Sequence, residues 1–179
     1  MILIGLGSNL DGECGSPADT LHECSRLLAE SGVYIVNSSN IWKTAPVPAS
    51  DQPWYRNAVC EVKTNLTSYG LLYSLAAIEE FLGRTRSSTP NEPRVIDLDV
   101  LGFNDENLDK VDLKIPHPEM HNRAFVLYPL REVAPNWVHP TLEKTVDEMV
   151  HGLPVGQKVE CIKNSQLNCA LSEKILVNA

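Results

Sequence analysis

The sequence predicts an α+β fold: a β-α-β-β-α-β core with an antiparallel sheet, followed by C-terminal helical additions. Three observations lead there. Apolar residues recur at helical spacing in two segments, 17–31 and 67–82, each opened by a cap residue and followed by glycine. Four other segments, 1–7, 33–42, 54–63 and 95–103, are short and rich in β-branched or alternating apolar residues. Their order is that of a split β-α-β motif, the ferredoxin-like pattern, with both helices on one face of the sheet and the other face free for a ligand or the remaining chain.

Each element has its own warrant. Met1 to Gly7 is apolar and ends in glycine, as a buried strand does, and Gly7-Ser8-Asn9 forms the turn that leaves it. No G-x-x-x-x-G-K-[ST] follows, so this turn is not a P-loop. Ser16-Pro17-Ala18-Asp19 supplies a cap, a proline at the first helical position and an acid three residues after the cap. Leu21, Cys24, Leu27 and Leu28 then give the first helix one apolar face. Val33 to Trp42 reads as the second strand. Thr44 to Pro53 is a proline-rich loop, of the kind that often carries function. In the third strand Ala58, Cys60 and Val62 alternate with Asn57, Val59 and Glu61. Thr67 caps a helix whose Leu71, Leu72, Leu75, Ile78 and Leu82 share a face, and Gly83 ends it.

Beyond the fourth strand, 104–114 is polar and turn-like, and 119–133 reads as one short helix or two broken at Pro129. Thr145-Val146-Asp147-Glu148 is a second capping box. Residues 1–151 are expected to form the domain, and 152–179 a C-terminal extension with weak periodicity.

The totals exclude several classes. At 179 residues and 43% hydrophobic, the chain suits one domain with a core of its own. A net charge of −8 argues against a nucleic-acid or anionic-membrane partner, so an anionic ligand needs a local basic cluster. Five cysteines without a C-x-x-C suit reduced thiols in a cytosol. The start has no basic region before its short apolar run, and nothing approaches the roughly 18 apolar residues of a membrane span. A cytoplasmic monomer is expected.

The chemistry concentrates in GRTRSSTPNEPRVIDLDVL, residues 83–101. On a strand, Asp97 and Asp99 point to one face while Ile96, Leu98 and Val100 point to the other. Two adjacent carboxylates repel, and a hard divalent cation between them relieves this; Mg²⁺ prefers such oxygen ligands together with substrate phosphates. Arg84, Arg86 and Arg94 offer planar forks that match phosphate oxygens. His117 and His121 stand i, i+4, but Pro118 between them and the lack of a third soft ligand argue against zinc.

Taken in order, the motifs resemble a known family. They are GSNL at 7–10, T-x-P and DQP-x-Y-x-N within 44–57, IE-x-x-x-GR-x-R at 78–86, PR-x-IDLD at 93–99 and IPHP-x-M-x-x-R-x-F-x-L-x-PL at 115–130. Together they are similar to the 6-hydroxymethyl-7,8-dihydropterin pyrophosphokinases of folate biosynthesis. The resemblance implies transfer of pyrophosphate from ATP, as co-substrate, to the hydroxymethyl oxygen of the pterin, giving AMP. By position it implies that Asp97 and Asp99 hold two Mg²⁺ ions and that Arg84 and Arg94 act with them at the transferred group. It places Glu79, Arg86, Val100, His117 and Arg123 around ATP. It puts the pterin between Tyr55 and Phe125, with Asn57 and the backbone of Thr44, Ala45 and Val47 at its hydrogen-bonding edge.

Three departures lie around the nucleotide: Ala76 where the family often has glutamine, Asn91 and Glu92 where it has an aromatic residue with glycine, and Asp112 where it sometimes has a basic residue. Two rival readings use the same residues. A metal-dependent phosphohydrolase or nucleotidyltransferase leaves the pterin-edge residues unexplained. A non-catalytic ferredoxin-like nucleotide-binding module needs no chemistry at all.

Overall fold

In the computed structural model, which describes residues 1–85 and 92–169, the elements run β1 (Ile2–Ser8), α1 (Pro17–Glu30), β2 (Tyr34–Ser38), β3 (Ile41–Thr44), β4 (Tyr55–Lys63), α2 (Ser68–Phe81), β5 (Asp97–Phe103), β6 (Leu108–Asp109), β7 (Lys114–Ile115), α3 (Ala124–Val133), α4 (Val146–His151) and β8 (Val159–Ile162). The main sheet is antiparallel throughout. β1 lies between β5 and β4, β2 and β3 share the far edge of β4, and β8 extends the sheet beyond β3.

The alternating strands have two apolar faces to cover, and different helices cover them. Ile4, Leu6, Ala58, Cys60, Leu98 and Val100 pack under Leu21 and Leu28 of α1 and Leu71 and Leu75 of α2. Each such leucine contributes about 1.5–3 kcal/mol by leaving water. On the other face Leu3, Val59 and Leu101 pack against Val126, Leu127 and Leu130 of α3 and Met149 of α4. Both helix-opening boxes form as patterned: Ser16 and Asp19 satisfy each other's backbone at α1, and Thr145 and Glu148 do so at α4. Thr67 caps α2.

Four local expectations are corrected. The strand expected over 33–42 divides at Ser39-Asn40. Glu132 of α3 causes the break: its carboxylate accepts from the Asn40 backbone N–H at 2.8 Å, the Asn40 side-chain amide at 3.0 Å and the Trp42 indole at 2.9 Å. The strand expected from Val95 begins at Asp97. The helix expected from Glu119 begins at Ala124, after a 3-10 turn over Met120–Asn122 and an extended Arg123; Pro129 lies inside it without breaking it. The turn-like 104–114 contains β6, which pairs with β7. Among the described residues no helix is long and apolar enough to cross a membrane.

Candidate active site

The floor of the site follows from strand register. Gly7 of β1 pairs with Asp97 on one side and with Asn57 on the other, and Gly5 pairs with Asp99. Side chains at paired positions share a face, so Asp97, Gly7 and Asn57 stand in a row across three strands. A Cβ on Gly7 would lie 2.7 Å from Asn57 Oδ1. Glycine at this position therefore keeps the space between the aspartate and the asparagine open.

Above that floor is a cavity of about 290 Å³. Thr44, Ala45, Val47, Tyr55, Asn57 and Phe125 all line it, together with Arg94, Asp97 and Arg123. Residues from loops, three strands and a helix, spread over 82 positions of sequence from 44 to 125, thus converge on one space. Asn57 is buried and donates from Nδ2 to Thr44 Oγ1 at 2.7 Å, which orients both side chains. The Tyr55 hydroxyl faces Gln52 and the Glu92 carbonyl, and burial raises its pKa. The Arg123 guanidinium lies 5.6 Å from the centroid of the Phe125 ring, within cation–π range.

At the β5 side charge dominates. Arg84 Nη1 lies 2.7 Å from Asp97 Oδ1, and Arg94 Nη1 lies 3.0 Å from Asp97 Oδ2, so each carboxylate oxygen has its own guanidinium. Arg84 also pairs with Glu79. Glu79 is buried at the end of α2, and its Oε1 accepts the Leu98 N–H at 2.7 Å. In this conformation Glu79 therefore braces the start of β5 and holds Arg84 over Asp97. Burial, and then the charge of Asp97, push the Asp99 carboxyl well above the usual carboxylate range. Burial, and then Arg123, push His117 down to about 4. Its Nδ1 accepts from the Glu119 N–H at 3.2 Å, which in the neutral ring leaves the proton on Nε2 as a donor.

The remaining predicted residues sit as follows. Val100 is in the core beneath α1 and α2, so its side chain cannot meet a ligand; on the edge strand it stands between Asp99 and Leu101, whose carbonyl accepts the His117 N–H. Arg86 lies outside the described residues, as does Asn91. Ala76 and Asp112 line a separate groove with Tyr73, Glu79 and Arg84.

The acid pair fits a hard cation. Asp97 and Asp99 share a face, burial and then the charge of Asp97 hold the Asp99 carboxyl up, and both offer oxygen donors. No third His, Cys, Asp or Glu completes a metal cluster with them among the described residues, so other oxygens must complete any shell.

One residue central to the geometry was missed by the sequence reading, although it sits in the GSNL motif. Asn9, 2% exposed, accepts the Arg94 N–H on Oδ1 at 2.8 Å and donates from Nδ2 to Gln52 Oε1 at 3.3 Å and to the Pro53 carbonyl at 3.1 Å. It fastens the turn after β1 to both loops that border the cavity. Its position at the end of an apolar strand was the available signal.

Comparison with known proteins adds a separate line. The pattern of the family described as 7,8-dihydro-6-hydroxymethylpterin-pyrophosphokinase (HPPK) matches residues 3–135. The 2-amino-4-hydroxy-6-hydroxymethyldihydropteridine pyrophosphokinase of Haemophilus influenzae is 38% identical over 148 residues, 82% of this chain and 89% of that one. The protein of the same name from Bacillus subtilis is 40% identical over 131 residues, 73% of this chain and 75% of that one. Folic acid synthesis protein FOL1 of Dictyostelium discoideum is 35% identical over 90% of this chain, which spans only 24% of its length. Among solved structures, wild-type HPPK-DHPS of Plasmodium falciparum with SDX-DHP superposes with a TM-score of 0.62 over 84% of this chain and 43% of that one; at 18% identity this likeness concerns the fold.

Proposed function

The chain belongs to the 7,8-dihydro-6-hydroxymethylpterin-pyrophosphokinase family, and from that premise we propose that it transfers pyrophosphate from ATP to the hydroxymethyl oxygen of 6-hydroxymethyl-7,8-dihydropterin, releasing AMP in a step of folate synthesis. The observation that carries the reading is the shared cavity: the six residues expected at the pterin line one space whose rim is Asp97, Arg94 and Arg123. A phosphohydrolase would have no use for that arrangement.

In this reading Tyr55 and Phe125 flank the flat pterin, and Asn57 with the 44–47 backbone meets its edge. The hydroxymethyl group then points toward Asp97. Two Mg²⁺ ions held by Asp97 and Asp99 would supply charge neutralisation along the triphosphate. Arg84 and Arg94 exchange Asp97 for phosphate oxygens when the nucleotide arrives, because a guanidinium fork serves either anion. His117 offers a neutral Nε2–H donor and Arg123 a fixed positive charge. Pyrophosphoryl transfer of this kind asks for positioning and charge stabilisation more than covalent chemistry. The strand order β5-β1-β4 with β2 and β3 beside β4 is read as the ferredoxin-like core, with α3 and α4 as additions and 1–151 as the catalytic unit.

Incubation with ATP, Mg²⁺ and the reduced pterin is expected to yield AMP in step with a pterin diphosphate. ADP with phosphate would mean a phosphohydrolase, and saturable ATP binding without turnover would mean a binding module.

A further inference from the structure

The segment after α4 reaches back to the cavity through two consecutive residues. Gln157 accepts the Ala124 N–H on Oε1 at 2.8 Å and donates from Nε2 to the Asn122 carbonyl at 2.8 Å. These bonds straddle Arg123. The next residue, Lys158, accepts the Ala45 N–H on its carbonyl at 3.0 Å, and Val159 then pairs with Thr44 as β8 begins. One turn thus touches both walls of the cavity: the 44–47 edge through the Lys158 backbone, and the 123–125 wall through the Gln157 side chain.

The second tie matters because α3 has no cap of its own. Arg123 occupies the cap position in extended backbone, φ −113° and ψ 109°, with no side-chain hydrogen bond to the helix. A helix start leaves N–H groups that need a partner, and here a glutamine from outside the helix supplies it. Gly156 permits the approach, since its φ of +93° is a conformation that side chains disfavour. On the outer side, Arg123, Asn122, Pro46 and Val47 border an open groove with Gln157 and Lys158, so this turn is what backs the junction of the two walls.

We infer that Gln157 is a positioning residue for the pterin subsite: it sets the Asn122–Ala124 backbone from which Arg123 and Phe125 project. This rests on the function proposed above and extends the working unit past residue 151, and past residue 135, where the family match ends. Gln157 touches no reacting atom. Its effect runs through Phe125 chiefly to the pterin and through Arg123 more weakly to ATP, while the Leu98–Glu79 bond and the Arg84 ion pairs stay intact.

The test compares wild type, Gln157→Ala and Gln157→Glu. The alanine variant removes both bonds; the glutamate variant keeps the acceptor for the Ala124 N–H and loses the donor to Asn122, so the helix start stays capped and the protein stays folded. For Gln157→Ala we expect the KM for pterin to rise about tenfold, the loss of one to two hydrogen bonds, with the KM for ATP rising less, about threefold, because Arg123 shares the displaced backbone, and kcat within about twofold. Gln157→Glu should fall between it and wild type. Amide exchange at Ala124, measured without substrate, should accelerate in Gln157→Ala and not in Gln157→Glu. A pterin KM unchanged in both variants, KM values for both substrates rising by the same factor, or unaltered exchange at Ala124 each overturns the inference. Failure of the wild type to make pterin diphosphate overturns the functional reading instead, and the exchange experiment still decides whether Gln157 holds this backbone.

Discussion

On the β3–β4 side of the cavity, Thr44 and Asn57 hold each other through a 2.7 Å hydrogen bond between neutral groups. On the β5 side Asp97 is held by Arg84 and Arg94, which are 19% and 22% exposed while Asp97 is 28% exposed. The two regions prepare for ligands in different ways. Strand pairing fixes the first, and a ligand adds to it without breaking anything. Ion pairs hold the second, and such pairs near solvent are weak enough to exchange for a phosphate of similar geometry. A pterin edge is read by shape and needs a rigid frame, whereas a triphosphate needs charges that can be handed over.

The largest effect that would sharpen this contrast is at the acids. Asp97→Ala and Asp99→Ala are each expected to lower kcat by about 10²–10³-fold, the usual cost of removing one preorganised electrostatic group at a reacting centre. The melting temperature should move little for Asp97→Ala, because the arginines it frees reach solvent. Variants that stay active, or that unfold, would remove the pair from the metal role and make the β5 side as structural as the other.

How far the sequence spoke for each region follows the same division. Asp97 and Asp99 were legible because period-two alternation assigns faces and because three arginines crowd the preceding loop. The capping boxes at Ser16 and Thr145 were legible because their signals are local. The break at Ser39-Asn40 was not, since it depends on Glu132, about 90 residues downstream in sequence. Nor was β8: Val-Glu-Cys-Ile has no clear alternation and finds its place only by pairing with β3. Asn9 and Gln157 escaped for a related reason. Their roles lie in hydrogen bonds to distant groups, which the neighbours of Gln157 do not announce and those of Asn9 announce only as the end of an apolar strand. The Ser8-Asn9 turn and the proline-rich loop were each visible, but not that one asparagine would join them.

A smaller effect probes the rigid side. Gly7→Ala places a Cβ where Asn57 Oδ1 now lies 2.7 Å away. Contacts under 3.0 Å force one partner to move, and the Asn57 side chain is the freer of the two because the new Cβ is fixed to a backbone paired on both sides. The Asn57 amide then loses its alignment with Thr44. We expect the KM for pterin to rise about tenfold with ATP binding unchanged, an effect of about 1.4 kcal/mol. A rise in the KM for ATP instead would show that the two sides are not separable, and would break the comparison.

The smallest effect concerns a group that the charged side keeps neutral. His117 has its pKa lowered from 6.5 to about 4, first by burial and then by Arg123. Between those values the unfolded imidazole binds a proton that the folded one refuses. Stability is therefore full above about pH 6.5 and falls as the pH drops toward 4. Between pH 7.5 and pH 5 the loss from this group is about 2 kcal/mol. His139, also lowered by burial, adds to the acid-side loss, while Asp99, whose pKa is raised, works in the opposite direction. The difference between wild type and His117→Asn isolates the one residue, because the other groups are common to both. Urea midpoints at the two pH values should show the asparagine variant losing less stability than wild type, since its amide oxygen still accepts from the Glu119 N–H but does not titrate. Equal losses would mean that His117 keeps its ordinary pKa in the folded protein, and that the charged side gains one more cation in acid than its ion pairs reveal.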